Sequence, residues 1–179
     1  MEILIAPSAG FCFGVKNAVK ITADLGDKAC VLGELIHNNS VIEKLKHLGV
    51  SKVDSVSECP KDKTLVIRSH GVCKDVYHKI KESKLLYRDA TCPFVAKIHT
   101  IIEDAGNKGM SVIIIGDKGH PEVTGSAGWT QGECIIVSDE NDAAKMPVSD
   151  EVNYCVVVQT TFDELLYNKI IKIIERRCK

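Results

Sequence analysis

Residues 111–129 read SVIIIGDKGHPEVTGSAGW. The run Val112–Ile115 is short, continuous and rich in β-branched side chains, the pattern of a strand buried on both faces. Gly116, Gly119 and Pro121 punctuate its end, and residues 122–128 read as a helix. A buried strand, a loop and a helix in immediate succession form the building unit of a parallel α/β sheet. His120 and Glu122 stand on either side of Pro121 in that loop. An ordinary polar turn accommodates both. So does a site that sets a proton donor beside a binder of anions or metal.

The same alternation continues outward in both directions. Strands are predicted over 2–6, 29–33, 64–68, 85–89, 111–115, 134–137 and 154–158. Helices are predicted over 14–25, 40–48, 73–83, 93–108, 122–128, 139–145 and 161–177. Ser40 with Glu43, and Thr161 with Glu164, have the spacing of capping boxes. Pro93 fits a first helical position, and Gly49 and Gly109 fit helix C-caps. A boundary near residue 95 divides the chain into two small α/β domains, 1–95 and 96–179, each with a mainly parallel sheet in three layers. The first would hold Cys12, His37, His70 and Cys92; the second, His120, Glu122 and Thr160.

The bulk composition narrows the partners. The 179 residues are 45% hydrophobic and 26% charged, with a formal net charge of −1. That balance argues against a nucleic-acid or membrane surface as the main partner. No segment has transmembrane length, and the opening MEILIAPSAG is acidic and too briefly apolar for a secretory signal. A cytoplasmic chain is expected. Eight cysteines in a reducing compartment point to core packing, metal binding or catalysis rather than disulfides. No C-x-x-C occurs. Cys30, Cys134 and Cys155 lie in or beside apolar runs and read as small buried hydrophobes. Cys59 and Cys73 read as structural, and Cys178 lies in the charged tail.

Six positions fall where a strand has ended and a helix is about to start: Cys12, His37, His70, Cys92, the His120–Glu122 pair and Thr160. In open parallel sheets this edge binds ligands, because strand ends converge there and helix N-termini offer unpaired N–H groups. A cysteine at a helix start is stabilised as the thiolate, a soft ligand suited to zinc or an iron–sulfur cluster. Imidazoles at such positions bind diphosphate by charge-assisted hydrogen bonds, whereas His47, His78 and His99, on helices, read as surface residues. A carboxyl group held near anionic phosphate keeps its proton more tightly, which suits Glu122 to general acid work. Thr160 either caps its helix or passes a proton. A zinc-dependent hydrolase with Glu122 as base is an alternative, although the short-spaced ligand pair of such sites is missing.

The motifs GFCFGV, IHNNSVIEKL, RSHGV, DATCPFVAKIH, GHPEVTG and QTTF occur in this order along the chain. Together they resemble the 4-hydroxy-3-methylbut-2-enyl diphosphate reductase family, iron–sulfur enzymes of the last step of non-mevalonate isoprenoid biosynthesis. The resemblance implies α/β domains around a 4Fe–4S cluster, with Cys12 and Cys92 as ligands and an iron left open to the substrate hydroxyl. It implies that His37, His70 and His120 bind the diphosphate, that Glu122 is the proton source and that Thr160 is its neighbour in the relay. Electrons would come singly from a ferredoxin- or flavodoxin-like donor, and the products would be isopentenyl and dimethylallyl diphosphate. The family's third cluster cysteine, in a motif of the type IC-x-AT, and its Ser-x-Asn stretch have no counterpart in these residues; Cys178 lacks the flanking sequence. The resemblance therefore covers the first two-thirds of the family's length, and an inactive fragment of such an enzyme is the other reading. The strand at 2–6 would then lack its sheet, and a bare edge invites association.

Overall fold

The computed structural model describes residues 3, 4, 6 and 9–178. They form two compact units, Met1–Ser69 with Leu85–Cys92, and His70–Lys84 with Pro93–Lys179.

The first unit opens with α1 (Phe13–Leu25), followed by β1 (Ala29–Leu32), α2 (Asn39–His47), β2 (Ser51–Val53), β3 (Thr64–Ile67) and, later in the chain, β4 (Tyr87–Asp89). The four strands lie in the order β2–β1–β3–β4, all parallel, with Val31 opposite Val66 and Val66 opposite Arg88. Val31 and Val66 bury one face of the sheet against Ala18 of α1 and Leu45 of α2. A fully buried branched side chain contributes about 1.5–3 kcal/mol, so these helices are held by packing more than by their own propensity.

The second unit contains α3 (Lys74–Ser83), α4 (Pro93–Asn107), β5 (Ser111–Ile115), α5 (Pro121–Ala127), β6 (Cys134–Val137), α6 (Glu140–Lys145), β7 (Tyr154–Val158) and α7 (Glu164–Arg177). Its strands run parallel in the order β6–β5–β7. Alternation along β5 sends Ile113 and Ile115 to a core shared with Ala143 of α6 and Ile170 of α7. Val112 and Ile114 go to a core shared with Ile102 of α4 and Val123 of α5. Both faces are covered, which is why residues 112–115 are apolar without interruption.

Several expectations are corrected. The boundary expected near residue 95 is not a single cut, because His70–Lys84 join the second unit. Trp129 Nε1 donates to the Val72 carbonyl at 2.9 Å, and Lys74 Nζ pairs with Glu103 at 2.5 Å. His99 is not a surface residue: it is buried, stacked on Trp129 with ring centroids 4.8 Å apart. Ser40 and Thr161 do not cap their helices. Asn38 caps α2 by accepting from Val41 N, and Asp163 caps α7 by accepting from Leu166 N. The strand β2 was not expected. The strand predicted over 2–6 lies partly outside the described residues; Ile3, Leu4 and Ala6 belong to no strand, and Ile3 and Leu4 are exposed. Cys134 and Cys155 are half-buried rather than fully buried. Gly49 and Gly109 do follow their helices with φ of 83° and 71°. Among the described residues no helix is long and apolar enough to cross a membrane.

Candidate functional site

In the first unit the strand order reverses at β1: β2 lies on one side and β3 on the other. Loops that leave such a reversal diverge and leave a crevice at the strand C-termini. The loop after β1 is tied to the end of β3, since the Leu35 carbonyl accepts from Ser69 Oγ at 3.0 Å and from Ser69 N at 3.3 Å. It carries His37, whose side chain is exposed and lies 3.9 Å from Glu34; the next residue, Asn38, caps α2.

Cys92 follows β4 at the same edge, its N–H bonded to the Ser69 carbonyl at 2.9 Å. Cys12 is exposed and is the N-cap residue of α1, without a side-chain cap bond. The two thiols belong to one neighbourhood, because a Cβ at Gly14, in the first turn of α1, would stand 2.7 Å from Cys92 Sγ. Only a residue without a side chain lets the helix come this close to the sulfur. Beside Cys92, the Thr91 hydroxyl is buried without a hydrogen-bond partner among the described residues.

In the second unit the reversal falls at β5, with β6 on one side and β7 on the other. Ile115 pairs with Val158, so the loops bearing His120 and Thr160 leave the sheet side by side. His120 is the N-cap of α5, and its Nδ1 accepts from Glu122 N at 3.1 Å. That bond fixes the tautomer: a proton on the ring sits at Nε2, which is then the atom able to donate to a ligand. His70 meets His120 edge-on, with centroids 5.6 Å apart.

Glu122 is 3% exposed. Its Oε1 accepts from Thr160 N at 2.6 Å and its Oε2 from Thr160 Oγ1 at 2.8 Å. A buried carboxylate needs such partners. Thr160 itself is exposed, so its hydroxyl links the buried acid to the outside, and it does not cap α7. Four other cysteines are made poorer nucleophiles and ligands by their surroundings. Burial and the neighbouring Cys30 thiol push Cys59 up to about 12, and burial raises Cys134, Cys155 and Cys178. Sequence reading passed over Gln159, a buried amide beside Thr160; the run VVVQTT carries no sign that its polar member points inward.

The LytB protein family model matches residues 3–179. The chain belongs to the LytB family. It is 41% identical over 96% of its length to the 4-hydroxy-3-methylbut-2-enyl diphosphate reductase of Clostridioides difficile, and 41% identical over 99% to that of Alkaliphilus oremlandii. It spans 63% and 64% of the length of these curated relatives. Among solved structures it is similar to the E-1-hydroxy-2-methyl-but-2-enyl-4-diphosphate reductase of Plasmodium falciparum. That match has a TM-score of 0.89 and 27% identity, over 96% of this chain and 55% of that one. An (E)-4-hydroxy-3-methyl-but-2-enyl diphosphate reductase, described as the terminal enzyme of the non-mevalonate pathway, matches with a TM-score of 0.81 and 33% identity. It covers 97% of this chain and 63% of its own. This LytB chain thus shares the α/β fold of both.

Proposed function

We propose that this LytB chain acts in the reductive dehydroxylation of 4-hydroxy-3-methylbut-2-enyl diphosphate to isopentenyl and dimethylallyl diphosphate, as an oxidoreductase of isoprenoid biosynthesis. The observation that carries this reading is the Glu122–Thr160 pair, a buried carboxylate bonded twice to one exposed residue. It stands at the strand reversal of its sheet, two residues from a histidine set to donate through Nε2. In this reading the site residues are Cys12, Cys92, His37, His70, His120, Glu122 and Thr160, and the reaction runs in the cytoplasm with a ferredoxin- or flavodoxin-like electron donor.

The donor set fits a 4Fe–4S cluster. Cys12 is the N-cap residue of α1, Gly14 in the first turn of that helix leaves the sulfur of Cys92 the space that a Cβ would fill, and the Thr91 hydroxyl lacks a protein partner among the described residues. Soft thiolates favour iron–sulfur chemistry over harder ions. When bound, the cluster supplies electrons one at a time.

The chain's own residues supply the rest. His37, His70 and His120 hold the diphosphate, so binding energy far from the reacting carbon orients the substrate. Glu122, protonated, gives its proton to Thr160 Oγ1 as the Thr160 hydroxyl proton moves to the substrate oxygen, which leaves as water. That step transfers one proton from Glu122; the two-electron-reduced allyl fragment then takes up a second proton at carbon to give either product.

The test is Glu122→Gln. An amide keeps an acceptor for Thr160 N and turns its NH₂ toward Thr160 Oγ1, so shape and both bonds persist while the proton is gone. Cluster content and diphosphate affinity should stay at wild-type values, and turnover should fall by about 10²–10⁴-fold, the usual contribution of a general acid. Wild-type turnover would remove Glu122 from the mechanism.

A further inference from the structure

Gln159 is 4% exposed, immediately precedes Thr160, and has no part in the chemistry above. All of its polar atoms are nevertheless engaged. Its Oε1 accepts from the Asp117 N–H at 2.9 Å, and its Nε2 donates to Thr161 Oγ1 at 3.0 Å while standing 3.5 Å from Asp117 Oδ2. Its backbone N donates to the Ile115 carbonyl at 2.8 Å, and its carbonyl accepts from Phe162 N at 3.0 Å. One residue therefore ties the end of β5, the first turn of the loop leading to His120 and Glu122, and the turn that carries Thr160.

The fit around this amide is close. A Cβ at Gly116 would lie 2.9 Å from Gln159 Oε1 and 2.6 Å from a methyl of Val123, the residue after Glu122. The amide and the first turn of α5 thus both occupy space that a side chain at 116 would need. Glu122 and Thr160 are 38 residues apart in sequence, and bonds of 2.6 and 2.8 Å between them require their two loops to be fixed to a fraction of an ångström. A carboxylate at 159 would lose the donated bond and face Asp117; an aliphatic side chain would leave the Asp117 N–H unsatisfied.

We infer that Gln159 is a positioning residue: its side-chain amide holds the Glu122 carboxyl and the Thr160 hydroxyl in register for proton delivery to an allylic diphosphate. This rests on the reading of Glu122 as proton source. The experiment is a double-mutant cycle in the full-length, cluster-loaded reductase. Gln159→Met and Thr161→Val are each made alone and in a Glu122→Gln background. kcat, KM for the allylic diphosphate, iron content and thermal midpoint are measured.

Gln159→Met should lower kcat by about 10–100-fold with KM within about twofold, because a misplacement of 1 Å costs on the order of 10²-fold. In the Glu122→Gln background the same change should cost less than about twofold, since it acts on a step already lost. Thr161 is exposed, and Thr161→Val removes one partner of the amide without opening the core; it should lower kcat in the same direction. Equal losses in both backgrounds, or a loss in KM alone, would show that the amide serves the fold or the ligand and would overturn the inference while leaving Glu122 in its role. If Gln159→Met does not fold, a Thr161→Val protein at wild-type kcat overturns it. A Glu122→Gln protein at full turnover would instead refute the proton-source reading, and the inference with it.

Discussion

Gly14→Ala sets two effects of known sign against each other. Gly in a helix costs roughly 0.5–1 kcal/mol relative to Ala, so at an open position in α1 the change would stabilise. Gly14 is not open: its Cβ would stand 2.7 Å from Cys92 Sγ and 3.1 Å from Cys92 Cβ. Ordinary contact begins near 3.5 Å, so about 0.8 Å must be found. The Cys92 backbone cannot easily supply it, because its N–H is bonded to the Ser69 carbonyl at 2.9 Å and Pro93 follows. The sulfur must turn to another rotamer, or α1 must lift. Overpacking of this kind costs about 1–3 kcal/mol, which leaves a net destabilisation of roughly 0–2.5 kcal/mol after the helix gain. Under the proposed role of Cys92 as a cluster ligand the effect on iron binding is larger, because ligand positions must hold within about 0.5 Å. After anaerobic reconstitution at limiting iron, Gly14→Ala protein should hold iron about 10–100-fold more weakly, the range seen when groups around metal ligands are disturbed. Iron and sulfide analysis with a thermal melt on the same sample reads both effects. A variant that melts higher than wild type and binds iron equally well would refute the close approach of α1 to Cys92.

Two further outcomes follow from other bonds. Asn is among the best N-caps, so His120→Asn should keep the thermal midpoint of wild type, whereas His120→Ala should lose about 1 kcal/mol. Both should bind inorganic diphosphate about 10–100-fold more weakly, since a hydrogen bond to a charged group is worth about 1.5–3 kcal/mol. Calorimetry checks the pair: equal stabilities would refute Nδ1 as the cap, and unchanged affinity would refute the Nε2 donor. Cys59 carries a sign worked from its environment: burial and the Cys30 thiol raise it from 9.0 to about 12. The unfolded chain gives up that proton first, so this contribution to stability is complete below pH 9 and is lost as pH rises toward 12. Urea midpoints should fall across that window and fall less in Cys59→Ala, and Cys59 in the folded protein should resist alkylation at pH 8 while Cys12 reacts; a flat profile would refute the burial of that thiol.

Strong local signals carried over into structure, and weak ones did not. The runs 111–115, 134–137 and 154–158 became β5, β6 and β7 with the predicted limits, because continuous β-branched stretches between turn residues leave few alternatives. The strand β2 is three residues long, Ser51–Val53, and contains a lysine; pairing with β1 makes it a strand, and no periodicity announces it. The capping boxes failed because Asn38 and Asp163 compete within three residues of Ser40 and Thr161, and choosing between caps depends on where the helix is packed. His99 lies at an apolar helix position, yet its partner Trp129 is thirty residues away in the chain. The Cys92, His120, Glu122 and Thr160 positions were legible as residue types at a strand-to-helix edge, whereas Cys12 precedes α1 with no strand before it among the described residues. The bond from Glu122 to Thr160, the fixed tautomer of His120 and the amide of Gln159 are products of tertiary register, which residue types alone do not encode.

The excursion of α3 into the second unit has a consequence for synthesis on the ribosome. Its chain leaves the first unit at Ser69 and returns at Leu85, so no single peptide cut separates the polypeptide into two pieces that each contain one complete unit. The Val72 carbonyl waits for Trp129, 57 residues downstream. At about 5–20 residues per second that wait is about 3–11 s. A ten-residue helix is marginal in water by itself, so Lys74–Ser83 emerges without partners until Glu103, 29 residues after Lys74, is made, and its docking is complete only with Trp129. The first sheet meanwhile completes around an unsettled insertion. Slowing of translation between codons 85 and 129 would lengthen the time before the bond from Trp129 to Val72 can form.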